Sequence, residues 1–316
     1  MPIGPGSSEL TPTMVEPPRI PARVATVRRQ FDARAARFGE RAALPREVGQ
    51  RLVERLQYIR LAPRRILDLG CGRGDARAAL LMQYPRADWF GLDISESMLA
   101  ATPSMRVHVR ASRWLHGRLS QRVAGDAGRL PIADNSIDLV FSNLMLHWHP
   151  EPHAVFPEWL RVLRTDGLLM FSCFGPDTLK ELRAAAALAL PNSRPMPFVD
   201  MHDFGDMMVA SGFATPVMDA EIITLTYASP RELLHEVRAL GGNPRDDRAA
   251  SLASGRQARQ MLNALEAQRG ADGRIRLTFE VAYGHAWKPM PAKARGVTAI
   301  TVEKLRAELA NRKRAR

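Results

Sequence analysis

Cysteine is almost absent from this chain. Cys71 and Cys173 are the only two among 316 residues, too few for a disulfide framework and not paired closely enough for a zinc motif. Both are expected to be reduced and incidental to the chemistry. Long apolar runs are also missing: none approaches the roughly eighteen residues of a membrane span. The start of the chain lacks the basic-then-apolar plan of a secretory signal, so the expected location is the cytoplasm. Acidic residues are in deficit, 33 Asp and Glu against 45 Lys and Arg, leaving a net charge of +12. Such an excess favours an acidic macromolecule or surface if it gathers on one face, without saying which. No helix-turn-helix, zinc finger or aromatic RNA platform accompanies it, and no specific nucleic acid is expected as a partner.

What the chain does have is a 46% apolar content, ample for a buried core. Residues 1–22, rich in Pro, Gly, Ser and Thr, read as a flexible leader. Residues 23–62 carry one helix through Val24 to Phe38 and a stronger one from Pro45 to about Arg60, where Val48, Leu52, Val53 and Leu56 recur on one face. These helices are placed to cover a cofactor site. From 63 to 175 strands and helices alternate: strands at Arg65 to Leu69, Asp88 to Asp93, up to Ala124, Ile137 to Ser142 and Leu168 to Phe174, with helices at Asp75 to Gln83 and His153 to Leu163. An irregular insertion occupies 102–119. This βαβ order builds a mostly parallel α/β sheet. Residues 176–271 then turn helical, with helices at Thr178 to Leu190, Phe204 to Ser211, Arg231 to Leu240 and Gly255 to Arg269, and one strand near 222–227; they read as a helical lid. Residues 272–290 hold a last strand whose Leu277, Phe279, Val281 and Tyr283 alternate to one face, and 291–316 form a basic tail that is helical from Val302.

The chemistry begins where the first strand runs into Gly70, Gly72 and Gly74 and then a helix. Glycines here permit backbone shapes and close approaches that a side chain would obstruct, which suits a nucleotide-derived ligand lying over the strand ends. Asp93, at the end of the next strand, is placed to accept hydrogen bonds from a ribose, although a lone Asp is more often a cap. NAD competes for this reading. The turn is GxGxG rather than GxGxxG, however, and Asp68 precedes it. That carboxylate would support the turn through backbone hydrogen bonds and attract a sulfonium and ammonium group, whereas a dinucleotide pyrophosphate would be repelled.

Taken together, Asp68 to Gly74 resembles motif I of class I methyltransferases, Gly91 to Ser95 the ribose-binding strand end, and Gly125-Asp126-Ala127 the adenine-binding turn. The resemblance implies a Rossmann-like class I methyltransferase fold: a mostly parallel seven-stranded sheet with an antiparallel C-terminal strand and an added helical lid. It implies S-adenosyl-L-methionine as cofactor, held by Asp68, Gly70, Gly72, Gly74, Asp93, Ile94, Asp126, Ala127 and Asn143. Asp126 would face the adenine amino group.

Asn143 to His149 follows the fourth strand at the edge where substrate chemistry belongs. His147 reads as a base or polar anchor and Trp148 as a wall against water, or both as parts of the core. Ser142 to Trp148 resembles the biotin-pathway methyltransferases that esterify malonyl-acyl-carrier protein, as do Phe31 to Phe38, Arg129 to Asp134 and Phe174 to Arg183. That family commonly has Tyr where this chain has Phe38. The segments Asp177 to Arg183, Asp203 to Phe213 and Ile222 to Tyr227 also resemble a mitochondrial complex I assembly-factor family that includes a protein arginine hydroxylase, so fold alone leaves the reaction open. Of the lid cations Lys180, Arg183 and Arg238, Arg183 is the expected anchor for a substrate carboxylate. His202, Asp203 and Asp206 read as a helix start, and no metal is expected.

Overall fold

The computed structural model describes residues 22–101, 120–191, 195–241 and 255–290. The expected leader, the 102–119 insertion and the basic tail with its helix from Val302 lie almost wholly outside the described residues. In chain order the elements are α1 (Ala22–Asp32), α2 (Ala35–Arg41), α3 (Ala43–Arg55), β1 (Arg65–Leu69), α4 (Arg77–Gln83), β2 (Asp88–Asp93), α5 (Glu96–Ala100), β3 (Ser120–Ala124) and β4 (Ile137–Asn143). There follow α6 (Pro152–Val162), β5 (Leu163–Phe174), α7 (Lys180–Ala189), α8 (Met201–Ala210), β6 (Ala214–Tyr227), α9 (Pro230–Ala239), α10 (Gly255–Glu266) and β7 (Ile275–Trp287).

Seven strands make one sheet in the order β3-β2-β1-β4-β5-β7-β6. Strands β1 to β5 pair in parallel, while β7 runs antiparallel between β5 and β6. The last strand is therefore inserted, not added at the edge, and its Thr278 and Ala282 are buried along with the alternating set Leu277, Phe279, Val281 and Tyr283. Helices cover both faces, so each central strand buries successive side chains to opposite sides. Ile66, Phe141 and Met170 join the cluster that holds Leu52 and Trp89, and their neighbours Leu67, Val140 and Phe171 join the one that holds Phe156, Trp159 and Phe204.

Several elements begin before their expected bounds, such as β5 at Leu163 and α8 at Met201, and two further departures have identifiable reasons. The expected helix 24–38 breaks after Asp32, because the Arg34 guanidinium donates to the Gln30 carbonyl that helix continuation would need, while the Arg34 N–H turns to Phe31. Strand β6 begins eight residues before the expected Ile222, since Asp219 and Glu221 spoil the local alternation. Those acids are answered from a distance: Arg55 meets Asp219 at 2.9 Å and Arg51 meets Glu221 at 2.6 Å. Arg55 also lies 3.6 Å over the Tyr283 ring, which fastens α3 across β6 and β7.

Candidate functional site

The glycine turn lies where β1 ends. Gly70 and Cys71 donate their N–H groups to the Leu92 carbonyl at 2.8 and 3.1 Å, which binds the turn to β2. Gly70, Gly72 and Gly74 have φ of +68°, +53° and +74°, the left-handed region that a side chain resists. A Cβ at Gly70 would sit 2.2 Å from Met145 Cγ, so the Met145 side chain has taken that space. At Gly72 a Cβ would meet only the Met98 methyl, at 3.2 Å, and otherwise project into an open cavity. Gly74 is not on the cavity wall; its N–H closes the turn on the Cys71 carbonyl.

Asp93 organises this corner. Its Oδ2 accepts the Gly72 N–H and its Oδ1 the Ser95 N–H, both at 2.8 Å. Burial is the main influence on its carboxyl and pushes it up to about 6 against those bonds. Ser95 then caps α5 by accepting the Met98 N–H and donates its hydroxyl to Asp32 of α1 at 2.6 Å. A chain of hydrogen bonds thus runs from the helical cover to the glycine turn.

The role expected of Asp68 as support for the turn is filled by Asp93 and the Leu92 carbonyl. Asp68 lines the cavity with its Oδ2 buried and without a partner. Burial pushes its carboxyl up to about 7; the nearby Trp89 indole opposes this, and the charges of Asp93 and Asp75 reinforce it. The Trp89 Nε1 is itself buried with no well-formed hydrogen bond, so its effect on Asp68 is one of proximity. A buried carboxylate oxygen without a partner on a cavity wall favours positive charge beside it.

Ile94, Asp126, Ala127 and Asn143 line the same cavity. Asp126 accepts the Gly128 N–H at 2.9 Å, and the Ala127 carbonyl accepts the Trp159 indole N–H at 3.2 Å. Asn143 is already engaged: its amide donates to the Pro45 carbonyl at 2.8 Å and accepts from Ser172 at 2.8 Å, joining the start of α3 to β4 and β5.

His147 also reaches the wall, with its ring between Trp148, Phe174 and Phe198 at centroid distances of 5.0, 4.6 and 6.0 Å. Burial pushes its imidazole down to about 3, and Nε2 has no partner. Arg183 does not reach the cavity. Its guanidinium donates to the Pro176 carbonyl at the start of its own segment, which removes it from the place expected of a substrate anchor.

The roof comes chiefly from the N-terminal helices, through Val24, Val27, Phe31, Phe38 and Pro45. Among the described residues of the expected lid, only Leu240 lines the cavity. Phe31 packs edge-on against Trp148 at 5.2 Å, closing the apolar end. Several wall residues had no role assigned from the sequence: Arg73 and Asp75 near the turn, His149 beside Asp126, and Cys71, which was expected to be incidental but lines the cavity. His149 belongs to a His-Trp-His run in which only the first histidine drew notice. Asp200 caps α8, which accounts for the neighbouring His202 and Asp203 as a helix start. Among the described residues, no cluster of His, Cys, Asp or Glu is suited to a metal, and no helix is long and apolar enough to cross a membrane.

Known proteins resemble this chain in sequence and in fold. A methyltransferase-domain family model matches residues 67–171. The malonyl-[acyl-carrier protein] O-methyltransferase of Laribacter hongkongensis (strain HLHK9) is 44% identical over 263 residues, covering 83% of this chain and 89% of that protein. The chain belongs to the malonyl-[acyl-carrier protein] O-methyltransferase family. The family's protein from Gallionella capsiferriformans (strain ES-2) is likewise 44% identical, over 87% of this chain and 94% of its own length. As a member of this family the chain is an S-adenosylmethionine-dependent methyltransferase. Its Rossmann-like fold is shared with the YcgJ protein of Bacillus subtilis, with a TM-score of 0.52, 16% identity, and coverage of 76% of this chain and 98% of that one. The residues at the cavity suit that cofactor: an open Gly72 wall, Asp93 at the end of β2, Asp126 in the loop after β3, and an Asp68 Oδ2 without a partner.

Proposed function

We propose that this chain methylates the free carboxylate of malonyl-acyl-carrier protein, giving the malonyl methyl ester used in biotin synthesis and S-adenosylhomocysteine, and that it acts in the cytoplasm. The observation that carries the reading is that His147, the histidine at the apolar end of the described cavity wall, is not a working base. His147, pushed down to about 3, is neutral near pH 7 and a poor proton acceptor there. An alcohol or amine would need such a base. A carboxylate, with an ordinary pKa of about 4, arrives with its electron pair free. The names of the family's proteins point to the same acceptor.

When bound, S-adenosylmethionine supplies a sulfonium-activated methyl group open to in-line displacement. The chain's task is alignment and exclusion of water. Asp93 would receive the ribose, Asp126 the adenine amino group, and Asp68 the positive end. Phe31, Phe38, Trp148 and Phe174 keep water from the carboxylate, whose desolvation raises its reactivity. Burial pushes the Cys173 thiol up to about 12, so it remains S–H, and its Sγ lies 3.7 Å from His147 Nδ1. With the thiol hydrogen directed at Nδ1, the imidazole proton would sit on Nε2 as a donor for an acyl oxygen. Phe38 supplies no hydroxyl at the roof, so a polar contact to the substrate has to come from a donor such as this one.

The carrier protein is expected to dock at the cover, where Arg29, Arg37 and Arg46 are exposed beside the roof helices. Its acidic surface would be drawn there, with an attraction weakened by salt.

The direct test supplies methyl-labelled cofactor and malonyl-acyl-carrier protein and weighs the product. A gain of one CH2 with the label in an ester is expected; verified folded enzyme that leaves the carrier unmodified would reject the reading. A second expectation concerns His147→Gln, which keeps an N–H donor. It should retain turnover within about tenfold with an unchanged profile near neutral pH, whereas loss of an obligatory base would cost roughly a hundredfold or more.

A further inference from the structure

Asp126 lies in the loop after β3, and its ability to read an adenine amino group depends on which oxygen is left for the ligand. Its Oδ1 faces two groups. The Gly128 N–H donates to it at 2.9 Å, and His149 Nε2 approaches it at 3.4 Å, with both side chains almost buried at 11% and 12% exposure. Among the described residues, no hydrogen bond uses Oδ2. Burial works against ionisation of Asp126, but the His149 imidazole and the Gly128 N–H outweigh it and hold the carboxyl below its ordinary value.

The His149 tautomer is set from the other side. Its Nδ1 accepts the Glu151 backbone N–H at 3.2 Å, which leaves the ring proton on Nε2, the atom facing Asp126. Gly128 makes room for this contact: a Cβ there would lie 3.1 Å from His149 Nε2 and 3.6 Å from Asp126 Oδ1. Asp126 and His149 both line the cavity.

We infer that His149 is the positioning residue of the base-recognition corner: donating from Nε2, it holds Oδ1 of Asp126 away from the ligand and turns Oδ2 toward the exocyclic amino group of the adenine. The inference rests on the reading of this cavity as the cofactor site. It assigns selectivity for a 6-aminopurine to a residue that touches no reacting atom. At 3.4 Å the contact is long for a hydrogen bond, so its effect is one of orientation shared with Gly128, not the whole of the affinity.

The test compares S-adenosylhomocysteine with its analogue bearing hydrogen in place of the 6-amino group, by calorimetry on the full chain. The unaltered protein should prefer the amino form by about tenfold or more, as expected of a hydrogen bond to a charged acceptor. In His149→Phe the ring is kept and the donor lost; the preference should shrink by roughly three- to tenfold, with affinity for the deaminated analogue nearly unchanged. His149→Gln, which returns an N–H near the Nε2 position, should restore the preference. Gly128→Ala, which presses on His149 without removing it, provides an independent perturbation and should also reduce it. An unchanged preference in folded His149→Phe and Gly128→Ala would overturn the assignment while leaving the cofactor site standing. Failure of the unaltered protein to bind S-adenosylhomocysteine would instead remove the reading of the cavity itself.

Discussion

Replacing Asp93 is expected to weaken cofactor binding more than any other single change at the site, and to loosen the fold with it. Its two oxygens accept the N–H groups of Gly72 and Ser95, both in the interior. In Asp93→Ala those donors would be left without partners at about 1–3 kcal/mol each, a large part of a typical stability of roughly 5–15 kcal/mol. Asp93→Asn is the gentler probe, because it keeps the volume and one acceptor but sets an NH2 against one of the two donors. We expect folded Asp93→Asn to bind S-adenosylmethionine at least about tenfold more weakly, since both the ribose acceptor and the shape of the Gly72 turn are damaged. Calorimetry together with thermal unfolding separates the two losses. Affinity within about twofold of the unaltered protein would show that Asp93 serves the turn and not the ligand.

A second large effect follows from Asp68 and Asp93, whose carboxyls burial pushes up to about 7 and about 6. Unfolded, both titrate near 4. Below that pH both states are protonated and the neutral buried form costs little. As pH rises from about 4 towards 7 the unfolded chain releases these protons first, so the ligand-free protein should lose stability over that window, by a few kcal/mol for Asp68 alone. Carboxyls held low, such as Asp126 and Glu158, act in the opposite sense and at more acidic pH. Denaturant titrations across this range should show the decline in the ligand-free protein and its flattening in Asp68→Asn. Added S-adenosylmethionine should stabilise more at pH 8 than at pH 5.5, roughly the two sides of these titrations, because its positive charge finds an ionised Asp68 only above them. A slope unaffected by Asp68→Asn would place the responsible group elsewhere.

What was legible in the sequence was what is local. Strands β1 and β2 coincide with the apolar runs Arg65 to Leu69 and Asp88 to Asp93, because central parallel strands are buried on both faces. The glycine turn and Asp93 were equally visible, since a few consecutive residues carry the turn and one strand end the acid. Strand β6 was only half visible: Asp219 and Glu221 look like loop residues until Arg55 and Arg51 are seen opposite them. Arg183 could not be judged from its segment, because the Pro176 carbonyl that takes its guanidinium is fixed by the turn before α7. His149 stood in plain sight, but the Asp126 that gives it meaning lies on another loop. The roof was anticipated from the N-terminal helices, whereas the small share of the later helices in the cavity wall depended on packing that no local pattern encodes.

The fastening of α3 has a consequence for the order in which the chain assembles during synthesis. Arg51 waits for Glu221, 170 residues later, and Arg55 waits for Asp219, 164 residues later. The aromatic face under Arg55 comes later still, on Tyr283 in the last strand. Since chains emerge N-terminus first, α3 leaves the ribosome long before the strands that clamp its Arg51 and Arg55 exist. The ties of Asp32 to Ser95 and of Pro45 to Asn143 have their partners much earlier in the chain. The clamp across β6 and β7 is therefore the last fastening that the cover receives.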